Sequence, residues 1–233
     1  MAENGGYHQF CPVAMASEVL CKRWTVVLLR ELLAGSTRFN DLRKGVPRMS
    51  PALLSTRLKE LEQAGILERQ ATKDRKVFDY VLTEAGRDLQ GVVMGIGTWG
   101  QRWVESKVSL KNLDPSLLMW DMHRNLDPTP MPDRRCVIQF LYPELQQARR
   151  SYWLLVDPPD EVDLCSVDPG FDIDLYVTSD LKTMTAIWMG LSKVQQEVDA
   201  GNLVLTGDRA LARQMQTWLG LSPFAVEPNR VGG

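Results

Sequence analysis

The chain has 233 residues, 44% of them hydrophobic and 24% charged, with a formal net charge of −2. This is ordinary globular material, long enough for two modest cores. No apolar run is long enough to span a bilayer and Met1-Ala2-Glu3-Asn4-Gly5-Gly6 carries no signal-peptide pattern, so no membrane partner and a cytoplasmic location are expected. Cys11, Cys21, Cys136 and Cys165 are scattered without a close pair, and the only histidines are His8 and His123, so no metal site, cofactor or disulfide framework is indicated. Charge is unevenly divided: residues 1–110 hold 16 Lys and Arg against 12 Asp and Glu, whereas residues 111–233 hold 11 against 17. A net of +4 suits a nucleic-acid surface in the first part, and −6 has the wrong sign for one in the second.

From Trp24 the pattern reads as a helix and then a short helix, Phe39-Asn40-Asp41-Leu42-Arg43-Lys44. The short helix ends at Gly45 ahead of Pro47, so its exit turns sharply, and Phe39 and Leu42 are its expected core contacts. The next helix is bounded by its own residues: Ser50 suits the cap, Pro51 the first position and Gly65 a left-handed stop. Leu54, Leu58 and Leu61 form its buried stripe and leave Ala52, Ser55, Thr56, Lys59 and Gln63 on the opposite face. A helix entering the major groove needs such a face, because small polar residues let the backbone approach the base edges and cations at the flanks meet phosphate or guanine.

After Gly65, Ile66-Leu67-Glu68-Arg69 and Val77-Phe78-Asp79-Tyr80-Val81-Leu82 read as two strands around the basic turn Ala71-Thr72-Lys73-Asp74-Arg75-Lys76. An exposed turn carries charge anyway, and it is the helix before it that makes this one a wing along phosphates or in the minor groove. The layout is that of a winged helix-turn-helix. Ser50, Pro51, Ala52, Ser55, Thr56, Arg57 and Lys59 are expected to read the major groove of double-stranded DNA. Arg38, Asn40, Arg43, Lys44 and Arg48 are expected to meet phosphates, and Lys73, Arg75 and Lys76 to form the wing contact.

Taken jointly, Phe10-Cys11-Pro12-Val13, Lys22-Arg23-Trp24-Thr25, Thr37-Arg38-Phe39-Asn40-Asp41-Leu42, Met49-Ser50-Pro51, residues 58–65 and Tyr80-Val81-Leu82-Thr83-Glu84-Ala85-Gly86 resemble the HxlR-type winged helix-turn-helix regulators over residues 8–103. The resemblance implies a dimeric bacterial transcription factor, with repression the commoner mode. It also implies a possible thiol switch at Cys11, for which nearby sequence offers only Lys22 and Arg23 as activating charges. One departure is Cys21-Lys22-Arg23-Trp24, where the family commonly carries a Gly before its Lys-Trp.

From Thr83 a long helix is expected, with Ala85, Leu89, Val92, Ile96, Trp99 and Trp103 in one stripe. The stripe either packs on its own domain or, as expected here, forms a dimer interface of Leu89, Val92, Val93, Ile96, Trp99 and Trp103. A two-fold protein reads half-sites about 34–36 Å apart. Gly91, Gly95, Gly97 and Gly100 either let two helices approach closely or break this one.

The chain divides at about residue 108, into a DNA-binding and dimerisation domain (1–108) and a second domain (109–233). The second opens with a helix at Asp114-Pro115 and a Pro-rich link at Asp127-Pro128-Thr129-Pro130-Met131-Pro132. Strand-like runs cover residues 136–142, 152–156, 162–167, 172–178 and 203–206. In the fourth, Ile173, Leu175 and Val177 face one way and Asp172, Asp174 and Tyr176 the other. Helices cover residues 181–189, 192–200 and 209–219. The fold class is α+β, a winged helix-turn-helix followed by an antiparallel sheet with packed helices.

Residues 172–180, Trp188-Met189-Gly190 and residues 199–208 with the final helix resemble the sterol carrier protein fold over residues 113–223. That resemblance implies an effector pocket for a small apolar ligand. Met184, Ile187, Trp188, Met189, Met215 and Trp218 are either its lining or ordinary core. No phosphate loop, nucleophile elbow or calcium-loop spacing is present, and the acids of residues 157–180 are typical of solvated faces, so no enzyme is expected. A lipid carrier without operator binding is the remaining class.

Overall fold

The computed structural model describes residues 6–71, 77–104, 110, 113–157, 159, 161–228, 230 and 231. The chain divides into two compact units, Met1–Ile96 and Gly97–Gly233. The first contains α1 (Pro12–Leu20), α2 (Thr25–Leu33), α3 (Phe39–Gly45), α4 (Pro51–Gln63), β1 (Leu67–Ala71), β2 (Phe78–Leu82) and α5 (Glu84–Asp88). α6 follows at Gln90–Trp103.

Local signals set α4. The Ser50 hydroxyl accepts the Leu53 N–H at 3.3 Å, Pro51 opens the helix, and Gly65 follows it at φ +70°. Leu54, Leu58 and Leu61 are buried in one cluster with Leu28, Leu29 and Leu32 of α2 and Leu42 of α3. β1 and β2 pair antiparallel from Leu67↔Leu82 to Ala71↔Phe78. Thr83 then closes the unit, because its hydroxyl donates to the Gly65 carbonyl at 2.7 Å and accepts the Gly86 N–H at 3.2 Å.

Two charged or strained features lie within this frame. Glu31 is fully buried, paired with Arg30, whose guanidinium also donates to the Gly45 carbonyl at 3.2 Å. A Cβ at Gly45 would stand 1.8 Å from the Glu31 carboxylate, which explains glycine at the end of α3. Trp24, the N-cap of α2, has φ +78°, a left-handed conformation that costs a side-chain-bearing residue roughly 1–2 kcal/mol.

The long helix expected after Thr83 is two helices, interrupted at Leu89. None of the four glycines breaks it, since α6 runs through Gly91, Gly95, Gly97 and Gly100. At Gly97 there is a close approach, but to the Phe224 ring, which a Cβ would meet at 2.2 Å.

The second unit holds α7 (Pro115–Asn125), β3 (Cys136–Leu141), a 3-10 turn (Gln147–Arg149), β4 (Ser151–Asp157), β5 (Glu161–Cys165) and β6 (Leu175–Ser179). After these come α8 (Leu181–Trp188), α9 (Val194–Asp199), β7 (Leu203–Gly207), α10 (Arg209–Arg213) and α11 (Met215–Trp218). Asp114, Asp180 and Asp208 cap α7, α8 and α10 through their side chains. The strand order is β5-β4-β3-β6-β7. The sheet is mixed, not antiparallel as expected, because β6 pairs with β3 in parallel from Ile138↔Leu175 to Leu141↔Thr178. Residues 166–174 carry the chain from the β5 edge to the far side of β3, and a crossover of that kind reverses the usual hairpin sense.

The crossover also corrects one facing. Leu175 and Val177 belong to the main core, but Ile173 packs with Val137, Trp153 and Leu155, a separate cluster. The main core gathers Met184, Ile187, Trp188, Met215 and Trp218 against Ile138, Phe140 and Leu154.

The glycines give a test of these contacts. A Cβ at Gly86 would lie 2.1 Å from the Ile66 carbonyl, whereas one at Gly91 meets nothing within 4 Å. Gly86→Ala should destabilise the first unit by about 2 kcal/mol, and Gly91→Ala should stabilise it by up to about 1 kcal/mol, both read from denaturant midpoints. Equal midpoints for the two variants would contradict the packing at Gly86.

Candidate nucleic-acid interface

With its leucines turned inward, α4 exposes Pro51, Ala52, Ser55, Thr56 and Lys59. Ser50 is exposed as well, with its oxygen serving the cap. The Thr56 hydroxyl donates to the Ala52 carbonyl at 3.0 Å, leaving its oxygen to accept from a base or a water. The surface is small, hydroxylated and cationic toward one end, the chemistry that base-edge reading requires.

Arg57 is placed differently from the sequence expectation. Its side chain is only 16% exposed, its Nε donates to the Arg23 carbonyl at 3.1 Å, and its Nη1 donates to Glu60 at 2.6 Å. It braces the protein instead of lining the exposed face.

The five residues expected at phosphates are all exposed. Arg38 pairs with Asp79 at 2.6 Å, and Asp79 also accepts the Thr37 hydroxyl at 3.2 Å. Lys44 pairs with Asp41 at 2.9 Å. Ion pairs this open to water are worth about 0–1 kcal/mol, so a phosphate can displace the carboxylate at little cost. Arg38, Phe39, Asn40, Asp41, Val77, Phe78 and Tyr80 line a cleft of about 550 Å³ where α3 meets β2. Lys73, Arg75 and Lys76 lie outside the described residues.

On α6, Val92, Ile96, Trp99 and Trp103 are exposed, Trp99 at 61%. Val93 is buried in the core of the first unit and Leu89 is packed against it, so these two face inward. Phe10, Val13 and Met15, at and before α1, are exposed too, Phe10 at 98%. The sequence reading missed them as an apolar surface, although bulky apolar residues on both sides of Pro12 were the available signal.

Cys11 sits at the N-cap of α1 and is half-buried. The Ala14 and Val13 backbone N–H groups at the start of α1 favour its thiolate and hold its pKa below the usual cysteine value. The first turn of α1, not Lys22 or Arg23, supplies the effect. Burial pushes the Cys136 thiol up. A lowered pKa keeps the thiolate populated to lower pH, so at pH 7 iodoacetamide should label Cys11 well before Cys136, as followed by peptide mass mapping. Labelling at equal rates would contradict this difference.

Met184, Ile187, Trp188, Met215 and Trp218, considered above as a pocket lining, form the packed centre of the second unit, with Met189 partly buried beside them. A cavity of about 600 Å³ opens elsewhere in that unit, lined by Leu113, Pro115, Glu144, Leu145, Gln146, Arg149, Asp180, Leu181 and Lys182. Glu144 accepts the Leu181 N–H at 2.7 Å, and Arg149 donates to Asp114 at 3.2 Å. Among the described residues no helix is long and apolar enough to cross a membrane.

The model of the HxlR-like helix-turn-helix family matches residues 19–108. Over 99 residues the chain is 34% identical to YvaP of Bacillus subtilis (strain 168), an uncharacterized HTH-type transcriptional regulator, covering 42% of this chain and 92% of YvaP. It is 37% identical over 97 residues to YodB, an HTH-type transcriptional regulator of the same strain, covering 41% of this chain and 87% of YodB. The solved reduced form of YodB from B. subtilis covers 40% of this chain and 93% of its own, with 36% identity and a TM-score of 0.35.

Proposed function

We propose, for a chain that belongs to the HxlR-like helix-turn-helix family of DNA-binding transcriptional regulators, a cytoplasmic homodimeric repressor of sequence-specific operators whose second unit takes a small effector. The exposed face of α4 carries the reading. Ala52, Ser55, Thr56 and Lys59 stand outward on a helix whose other side is fixed by three buried leucines. Ser50 and Pro51 begin the groove contact, Arg38, Asn40, Arg43, Lys44 and Arg48 hold phosphates, and Lys73, Arg75 and Lys76 serve as the wing.

Dimerisation is assigned to Val92, Ile96, Trp99 and Trp103, supported by the exposure of these large apolar side chains along one stripe of α6. The test is a gel shift across a salt series, on a duplex that the protein selects from a random-sequence pool. Lys59→Ala should weaken binding and lower the logarithmic salt slope by about one. Trp99→Glu should sediment as a monomer and lose the shift. A shift unchanged in both variants would overturn this surface and this interface.

The effector reading moves to the 600 Å³ cavity, a volume suited to a small molecule, where Leu113, Pro115, Leu145 and Leu181 give apolar walls. The sterol carrier protein-like reading of residues 109–233 is retained on the strength of helices packed against a five-stranded sheet. An effector acts by binding one spacing of the two recognition helices better than the other. Decanoate, titrated into the full chain, should raise the melting temperature of the parent and not that of Leu145→Glu. An identical rise in both would remove the cavity from consideration. A second reading, a thiol switch at Cys11, is favoured by the lowered pKa of that thiol.

A further inference from the structure

The turn between α1 and α2 touches the recognition helix through charged and polar groups that the DNA-facing surface does not use. Lys22 Nζ lies 3.6 Å from Glu60 Oε1, while the other carboxylate oxygen of Glu60 accepts from Arg57 at 2.6 Å. Arg57 in turn donates to the Arg23 carbonyl at 3.1 Å. The next residue, Trp24, is the left-handed one, packed partly into the core, with the Arg23 guanidinium 5.7 Å from its ring centre. A strained turn persists only where its surroundings over-determine it, and here Arg57 and Glu60 are part of those surroundings.

We infer that Arg57, Glu60 and Lys22 form a clasp that positions α4 for DNA, so that Glu60, an acid, is required for tight operator binding. The inference rests on the DNA-reading face proposed above. Arg57 and Glu60 are one turn apart on α4, and their carboxylate–guanidinium bond is mostly shielded from water on the arginine side. The clasp ties the middle of α4 to backbone outside the helix, which the leucine stripe alone does not do. Leucine packing fixes depth and leaves small rotations and slides open, whereas a hydrogen bond to a carbonyl fixes direction. Shifts of an ångström at a base edge are enough to lose a bidentate contact.

The sign of the Glu60 effect separates this from simple electrostatics. Removing an acid from a DNA-binding unit raises its positive charge, and by charge alone should tighten binding. The clasp requires the opposite. With the selected duplex, Glu60→Ala and Arg57→Ala should each bind about tenfold more weakly, and the double variant should lose little more than either, because the two side chains act as one unit. The salt slope of Arg57→Ala should equal that of the parent, since no phosphate contact is lost, whereas an arginine on phosphate would lower it by about one.

Glu60→Gln, which keeps an acceptor for Arg57, should stay folded and bind between the parent and Glu60→Ala. Far-ultraviolet circular dichroism melts report folding for every variant, and if Glu60→Ala unfolds, Glu60→Gln carries the test. A parent that selects no duplex would overturn the DNA-reading face and the clasp's role with it. A parent that binds, beside a Glu60→Ala or Glu60→Gln that binds as tightly or more tightly, would overturn the clasp alone.

Discussion

Burial of Leu54, Leu58 and Leu61 against α2 and α3 determines what the first unit presents to a partner. Each such side chain contributes about 1.5–3 kcal/mol when taken from water, and a 13-residue helix has little stability without that packing. At 3.6 residues per turn, fixing the leucines inward fixes Ala52, Ser55, Thr56 and Lys59 outward. The far end of α4 is secured in a different way. Gly65 reverses the chain, and Thr83 ties the end of β2 back to the Gly65 carbonyl. Gly86 then rests directly on the Ile66 carbonyl. One end of α4 thus depends on a serine cap and the other on a hydroxyl reaching across 18 residues.

Features carried by neighbouring residues were legible in the sequence. The bounds of α4 follow from Ser50, Pro51 and Gly65, the cap of α8 from Asp180, and the two strands after Gly65 from the apolar runs on either side of the basic turn. Features decided by distant partners were not. Strand direction leaves no mark on alternation, so the parallel β3–β6 pair was invisible, and Ile173 was assigned to the face of Leu175 although the strand starts two residues later. The interruption at Leu89 has no local breaker. Helical periodicity likewise cannot tell an arginine that reaches DNA from one that reaches back to the Arg23 carbonyl.

The second unit answers a puzzle posed by its own composition. Residues 157–180 contain eight acids and no base, so any cation that pairs with them comes from elsewhere in the chain. Cations for two of these acids come from just before β3, where Arg134 meets Asp174 at 2.8 Å and Arg135 meets Asp157 at 2.7 Å, with Arg134 also 3.6 Å from Asp208. Asp174 also accepts the Val137 N–H at 2.8 Å, so it joins the start of β6 to β3 through backbone as well as charge. The crossover that makes the sheet mixed is therefore anchored by an arginine and an aspartate 40 residues apart. The same strands place their large side chains in a filled core, and the open volume of the unit falls instead where α7, the 3-10 turn and α8 begin.

Solvent access separates the roles of the basic residues in the first unit more clearly than residue type does. Arg38 and Lys44 hold carboxylates at 2.6 and 2.9 Å, but their side chains are 44% and 53% exposed, so water already competes for those pairs. On the proposed reading, a phosphate there would replace one anion with another and release condensed counterions, a gain that grows as salt falls. Arg57 makes bonds of similar length at 16% exposure, one of them to a carbonyl that cannot move away without disturbing a strained turn. Drawing it outward would leave Glu60 with Lys22 alone and the Arg23 carbonyl without its donor. Similar ion-pair geometry thus stands open to water at Arg38 and Lys44 and largely shielded from it at Arg57.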